Sequence, residues 1–256
     1  MNVLSPAGTV LYNYFFLFIT LLLAVQPAVA QDDGVLATKA DTLRGSITPQ
    51  RAWWEVTYYD LHVTVQPKDS SISGYNKITY RVTGEPRQLQ VDLQQPLEID
   101  KITQDGNPLT FQRVDDSNAW FVDVPANLSH DSLYTLTVSY HGQPKTAVNA
   151  PWDGGFVWSA DSSGNPWIAT ANQGLGASVW WPNKDHQTAE PDSMRINITV
   201  PDPLVNISNG RLRDTTRRDN SMTTWSWFVA NPINNYNIAV NAGNYVNFTD
   251  TFDGLN

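Results

Sequence analysis

Residues 58–82 read YYDLHVTVQPKDSSISGYNKITYRV. Tyr59, Leu61, Val63 and Val65 alternate with Asp60, His62, Thr64 and Gln66, so an extended chain here has one apolar and one polar side. Gly74 and the neighbouring serines mark a turn, after which Ile78, Tyr80 and Val82 resume the same period. Two such runs joined by a short polar turn predict a half-buried antiparallel hairpin.

The period of two extends outward from this hairpin. Leu89-Val91-Leu93, Leu136-Val138-Tyr140, Met194-Ile196-Ile198-Val200, Trp225-Trp227-Val229 and Tyr236-Ile238-Val240 all alternate. GEP, DGNP, DDSN, PDP and NPINN separate them as turn signals. From residue 31 onward no window of eleven residues carries a period of 3.6. Alternating faces with short connections predict an all-β domain with antiparallel pairing, as a β-sandwich or one large curved sheet. Residues 145–192 break the rhythm and hold five of the ten Trp. A stretch that long without strand alternation is expected to be a functional or interfacial loop.

The 256 residues carry a net charge of −9 and no Cys. That acidity argues against nucleic acid, whose phosphates need clustered Lys and Arg. Without Cys there are no disulfides, so the fold relies on its core. The first thirty residues have no charged side chain, and Tyr14–Val25 is an apolar run ending before Pro27 and Ala28-Val29-Ala30. This pattern predicts a signal peptide over 1–30, an exported periplasmic or extracellular protein, and no membrane span after cleavage, because the run is short for a bilayer. Residues 31–51 are polar and aperiodic and read as a flexible tether. Residues 52–250 form the expected β domain, and 251–256 read as the start of a linker.

A self-contained active site is not apparent. His62, His130, His141 and His186 include no pair at i, i+4 and no H-E-x-x-H. His186 beside Asp185 would need two further ligands to hold zinc. No Ser stands in G-x-S-x-G, and GLGAS lacks the Lys-Ser/Thr of a phosphate loop. Asp32-Asp33 and Asp115-Asp116 lie in polar segments where solvated charge is the ordinary state. Sequons at Asn127, Asn197, Asn206 and Asn247 matter only in a glycosylating pathway.

Three segments, in this order, resemble the N-terminal domain of the aminopeptidase N family of zinc metallopeptidases, which includes leukotriene hydrolase. The hairpin 58–82 is similar to that domain's opening hairpin. ANQGLGASVWWPNKDH (171–186) is similar to its Q-C-(E/Q)-A…A-R-x-x-F-P-C-x-D segment, and NNYNIAVNAGNYV (234–246) resembles its closing strand. Ala171, Ser178 and Asn183 depart from the family pattern, standing where it has Gln, Arg and Cys.

The resemblance implies that Gln173 helps bind the free α-amino group of a peptide substrate. A Gln carbonyl oxygen can accept from an ammonium, which has three donors and no acceptor. Gly174, Gly176, Trp180, Trp181, Pro182 and Asp185 are the expected loop-shaping residues, with the Trp pair as core or interface anchors. The family's zinc motif belongs to a catalytic domain that would follow near Asn256. The resemblance therefore implies zinc in that downstream domain and none in this chain. Peptide N-termini and the catalytic domain are the implied partners, and this chain alone is expected not to hydrolyse peptides. The alternative reading is a freestanding exported module that binds peptide or carbohydrate through the aromatic stretch 152–181.

Overall fold

The computed structural model describes residues 38–248. The expected signal peptide, the first part of the tether and the linker at 251–256 lie outside them. Among the described residues no helix is long and apolar enough to cross a membrane.

The predicted hairpin forms, but its turn lies at residues 67–70 and Gly74 pairs with Val63 inside the second strand. β1 (Trp54–Gln66) and β2 (Ser71–Val82) pair antiparallel from Trp54↔Val82 to Gln66↔Ser71. A bulge between Val56 and Tyr58 shifts the phase by one residue. Trp54 and Val56 before it, and Tyr59, Leu61, Val63 and Val65 after it, are therefore all buried on the same side.

In chain order the remaining strands are β3 (Leu89–Asp92), β4 (Glu98–Gln104), β5 (Asn107–Pro108), β6 (Phe111–Arg113), β7 (Ala119–Val122), β8 (Leu133–Gly142), β9 (Gly155–Ala160), β10 (Pro166–Ala171), β11 (Ser193–Pro201), β12 (Val205–Ile207), β13 (Arg211–Arg218), β14 (Met222–Val229) and β15 (Asn241–Gly243). They build an eight-stranded sheet in the order β13-β14-β11-β1-β2-β8-β4-β5. A four-stranded sheet runs β12-β15-β10-β9, and a three-stranded one β3-β7-β6. The apolar face of the large sheet, with Ile78, Leu136, Val138, Ile196 and Ile198, shares one core cluster with Leu89 and Val122 of the small sheet and Phe156 and Ile168 of the four-stranded one. The all-β expectation holds.

Four further expectations are corrected. β1 and β11 run parallel, from Tyr58↔Ser193 to Thr64↔Thr199, so pairing is not uniformly antiparallel. Residues 145–192 are not one loop, because β9 and β10 form a hairpin across DSSGN. Tyr236-Ile238-Val240 is not a strand. Asn234 accepts the Tyr236 N–H on its side chain at 2.9 Å and caps a 3-10 turn over Asn235–Asn237 instead.

The tether is the fourth of these, over its described part. Lys39–Gly45 form α1, started by a capping box in which Thr38 and Asp41 each bond the other's backbone N–H. Leu43 and Thr48 are buried and Arg51 is fully enclosed. Thr48 donates to Gln90 at 2.8 Å, and Gln90 donates to the Leu43 carbonyl at 3.0 Å. This strap covers the polar side of β3, which explains why all four β3 residues are buried.

Candidate functional site

The expected site residues, from Gln173 to Asp185, lie between β10 and β11. The loop begins at buried Asn172, whose amide donates to the carbonyls of Tyr236 (2.6 Å) and Ile238 (3.1 Å). Its own carbonyl accepts the N–H groups of Leu175 and Gly176, closing a tight turn around Gln173. Gly174 and Gly176 have φ of +71° and +83°, a region that penalises a Cβ. At Gly176 the space is closed as well, since a Cβ would stand 2.4 Å from an Asp185 carboxylate oxygen.

That carboxylate organises the next turn. It accepts the Ser178 hydroxyl at 2.5 Å and the Ser178 N–H at 3.0 Å, with the Ala177 N–H at 3.4 Å. These are the N–H groups that a 3-10 turn over Ala177–Val179 leaves without internal partners. Trp180 and Trp181 follow and are wholly buried. Trp181 meets Tyr59 edge-to-face at 5.1 Å, and Trp180 packs on Phe156 at 6.1 Å. The carbonyl of buried Pro182 accepts from Asn76 of β2 at 2.9 Å, fastening the loop to the main sheet. Asn183, where the resembling family has Cys, makes an antiparallel bridge with Asp92 and donates to the Trp181 carbonyl.

A buried ion pair supports the loop from beneath. Arg51 and Asp92 meet at 2.6 Å. Asp92 also accepts the Asp185 N–H at 2.9 Å and the Gln90 amide at 2.8 Å. Burial pushes the Asp92 carboxyl up, and the Arg51 guanidinium opposes that shift. Lys184 donates to the carbonyls of Arg51 (2.9 Å) and Trp54 (2.6 Å) and lies 4.5 Å over the Trp54 ring. Burial, aided by the Arg51 charge, lowers its ammonium to about 8. His186 is lowered by burial and by the same two cations.

Gln173 itself is exposed. Its side-chain oxygen accepts from the Tyr236 hydroxyl, and Arg44 of α1 donates to the adjacent Gly174 carbonyl. Beside them is an open cleft of about 680 Å³ lined by residues including Arg44, Gly176, Asp185, His186, Asn234 and Tyr236. The loop thus presents one neutral amide on a rigid turn above a packed base, a geometry suited to binding. Among the described residues no group of three or more His, Asp or Glu is placed to hold a metal.

The aromatic stretch divides. Trp180 and Trp181 are core, Trp158 is half-buried and stacked on Phe156, and only Trp152 and Trp167 are substantially exposed. Sequence reasoning missed Arg44, Arg51, Asp92 and Tyr236 as partners of the loop. T-x-x-D at 38–41 signalled the helix that carries Arg44, but no local pattern marked the other three.

Residues 55–236 match the family model described as the peptidase M1 N-terminal domain. The chain belongs to this family. No curated protein matches it by sequence. Among solved structures, a mutant M1 zinc metallopeptidase from Deinococcus radiodurans bound to a Tyr-Ser-Ala substrate is 20% identical, with a TM-score of 0.64 over 78% of this chain and 45% of that one. A two-domain M1 zinc metallopeptidase mutant bound to L-arginine is also 20% identical, with a TM-score of 0.63 over 76% of this chain and 43% of that one. Native leukotriene A4 hydrolase from Saccharomyces cerevisiae is 18% identical, with a TM-score of 0.57 over 75% and 29%. The M1 N-terminal domain described here therefore spans less than half the length of these relatives.

Proposed function

We propose that this M1 N-terminal domain is the substrate-amine-recognising part of an exported zinc aminopeptidase. In that enzyme Gln173 accepts a hydrogen bond from the free α-amino group of a peptide. One observation carries the reading: the Gln173 amide is exposed on a rigid two-glycine turn, with its oxygen engaged by a donor and thus presented as an acceptor. The amide oxygen has two lone pairs, so it can accept from Tyr236 and from an ammonium together.

Family membership supports the remaining parts of the proposal. A catalytic domain downstream of residue 250 holds zinc, which supplies Lewis-acid activation at the scissile carbonyl and of water. This domain contributes amine recognition and a packed surface for that partner, and it does not hydrolyse peptides alone. The apolar run at Tyr14–Val25 supports export.

Reading the coding sequence past Asn256 tests the enzyme, with H-E-x-x-H and a distal Glu expected. A stop codon with no zinc-binding sequence downstream would sink it. In the full-length protein, Gln173→Ala should raise KM for aminoacyl-4-nitroanilides about tenfold, the worth of one hydrogen bond to a charged group. Gln173→Glu should restore or tighten binding, because charge-assisted bonds are stronger. An unchanged KM in Gln173→Ala would remove Gln173 from the amine site.

A further inference from the structure

The four-stranded sheet is apolar on both of its faces. Inward, Phe156, Ile168 and Ala242 are buried in the shared core. The pairing register defines the other side. Ile207 pairs with Asn241, Asn241 with Ala169 and Ala169 with Val157, one row across all four strands. In the next row Val205 pairs with Gly243 and Trp167 with Ser159. A Cβ at Gly243 would stand 3.3 Å from both the Trp167 and the Tyr245 ring, so the two rings close over that glycine. Neither row carries a charge.

A sheet with one solvated face alternates apolar and polar residues, whereas one that is apolar on both sides is covered on both. The large sheet follows the first rule, since its outward side presents Asp60, His62, Lys77 and Arg195. The four-stranded sheet does not. Among the described residues Trp167 and Ile207 remain 40% and 42% exposed. An apolar groove of about 350 Å³, lined by residues including Ile207, Leu212, Trp225, Trp227 and Tyr245, extends the surface from the β12 edge toward the β13–β14 hairpin.

Three observations choose the occupant. The face is a broad sheet surface and not a deep pocket, which suits a folded partner over a small molecule. Its rows hold no Lys or Arg, which argues against anionic lipid. The chain also runs off the sheet beside this face: Tyr245 follows β15 and belongs to it, and Val246 and Phe248 are exposed immediately beyond. A domain joined there by a short connection meets the face at high effective concentration. β10 leads from the same face to Gln173, two residues past Ala171.

Resting on the zinc-aminopeptidase reading above, we infer that the outward face of the four-stranded sheet is the docking surface for the downstream catalytic domain. Gln173 then borders the joint between the two domains.

The chain has no Cys, so one introduced thiol reports on one place. Ser159→Cys and Ile207→Cys set exposed thiols on the two edge strands of the face, and Ser73→Cys sets one on the outward side of the large sheet. Maleimide labelling, read peptide by peptide with mass spectrometry, compares the 256-residue chain with the full-length enzyme. The first two thiols should label at least about tenfold more slowly in the full-length enzyme, where reaction waits on opening of the joint, while Ser73→Cys stays within about twofold. Equal rates for Ser159→Cys and Ile207→Cys in the two proteins would overturn the inference. The enzyme reading would survive that result, because it is judged by the downstream zinc motif and by Gln173→Ala. Protection that grows with concentration in the 256-residue chain would assign the face to a second copy and overturn the inference too. A coding sequence that stops at Asn256 would remove the occupant and the enzyme reading together.

Discussion

Arg51 and Asp92 face each other at 2.6 Å under the Gln173 loop, with side chains 0% and 5% exposed. One comes from the strap that precedes β1 and the other ends β3. The pair is also the junction between strap and loop. Arg51 donates to the carbonyls of Arg44, Ser46 and Asp185, and Asp92 accepts the Asp185 N–H. Removing one partner strands a buried charge and several carbonyls at once. Arg51→Ala should cost about 3–5 kcal/mol in chemical denaturation. Because the cost is that of an orphaned charge, Asp92→Asn in the Arg51→Ala background should recover part of it. A loss below about 1 kcal/mol would show that the pair is not what holds the loop down.

The two loop glycines are predicted to differ. Both have positive φ, but a Cβ at Gly174 meets nothing within 4 Å, whereas one at Gly176 collides with the Asp185 carboxylate. Gly174→Ala should therefore cost only the backbone penalty of about 1–2 kcal/mol. Gly176→Ala should cost more than that, because Asp185 must leave the Ala177 and Ser178 N–H groups. Thermal melts of the two variants compare them directly, and equal losses would refute the assignment of Asp185 as the organiser of this turn.

What could be read from the sequence depended on whether the cause was local. The β1–β2 hairpin was legible because Tyr59, Leu61, Val63 and Val65 write their burial in a period of two. The parallel partner of β1 was not, since alternation of Met194, Ile196 and Ile198 says which face is buried and nothing about strand direction. Tyr236-Ile238-Val240 has a strand's alternation, yet an Asn cap at 234 and the demands of Asn172 turn it into a 3-10 turn. In the site, Gln173 and the loop glycines were marked by the resemblance of residues 171–186 to the family segment. Arg51, Asp92 and Tyr236 reach the loop from 134, 93 and 63 residues away, so only the tertiary fold reveals them.

Lys184 gives the domain a pH signature. Its ammonium sits at about 8 in the folded chain against 10.5 in the open chain. Between those values the unfolded state binds more protons, so stability rises with pH there, by about 3 kcal/mol over the whole interval. Tyr59, Tyr80 and Tyr140 act in the opposite sense, because burial holds their hydroxyls above the ordinary 10. Above pH 10 the unfolded chain loses those protons first and stability falls. Urea titrations should therefore find a maximum between about pH 9 and 10, and Lys184→Met should flatten the rise below it. A wild-type profile that falls steadily from pH 8 would contradict the burial of a charged Lys184.

The strap yields the last prediction. A flexible tether would be the first place trypsin cuts, after Lys39, Arg44 or Arg51. In the folded chain Arg51 is enclosed, Leu43 is buried, and both Thr48 and Leu43 are tied to Gln90. By contrast, Arg217 lies exposed near the tip of the β13–β14 hairpin, beside the turn at 219–221. Limited proteolysis should accordingly cleave near 217–218 before it cleaves between 39 and 51. Cleavage within the strap requires local opening, which the burial of Leu43 opposes together with the bonds made by Arg51 and Gln90. Leu43→Ala should lower the free energy of that opening by about 2 kcal/mol and speed cleavage after Arg44 at least about tenfold, while the 217–218 site keeps its rate. Mass spectrometry of the early fragments decides the matter: a first cut after Arg44 or Arg51 in the wild type would mean that the strap is a tether after all.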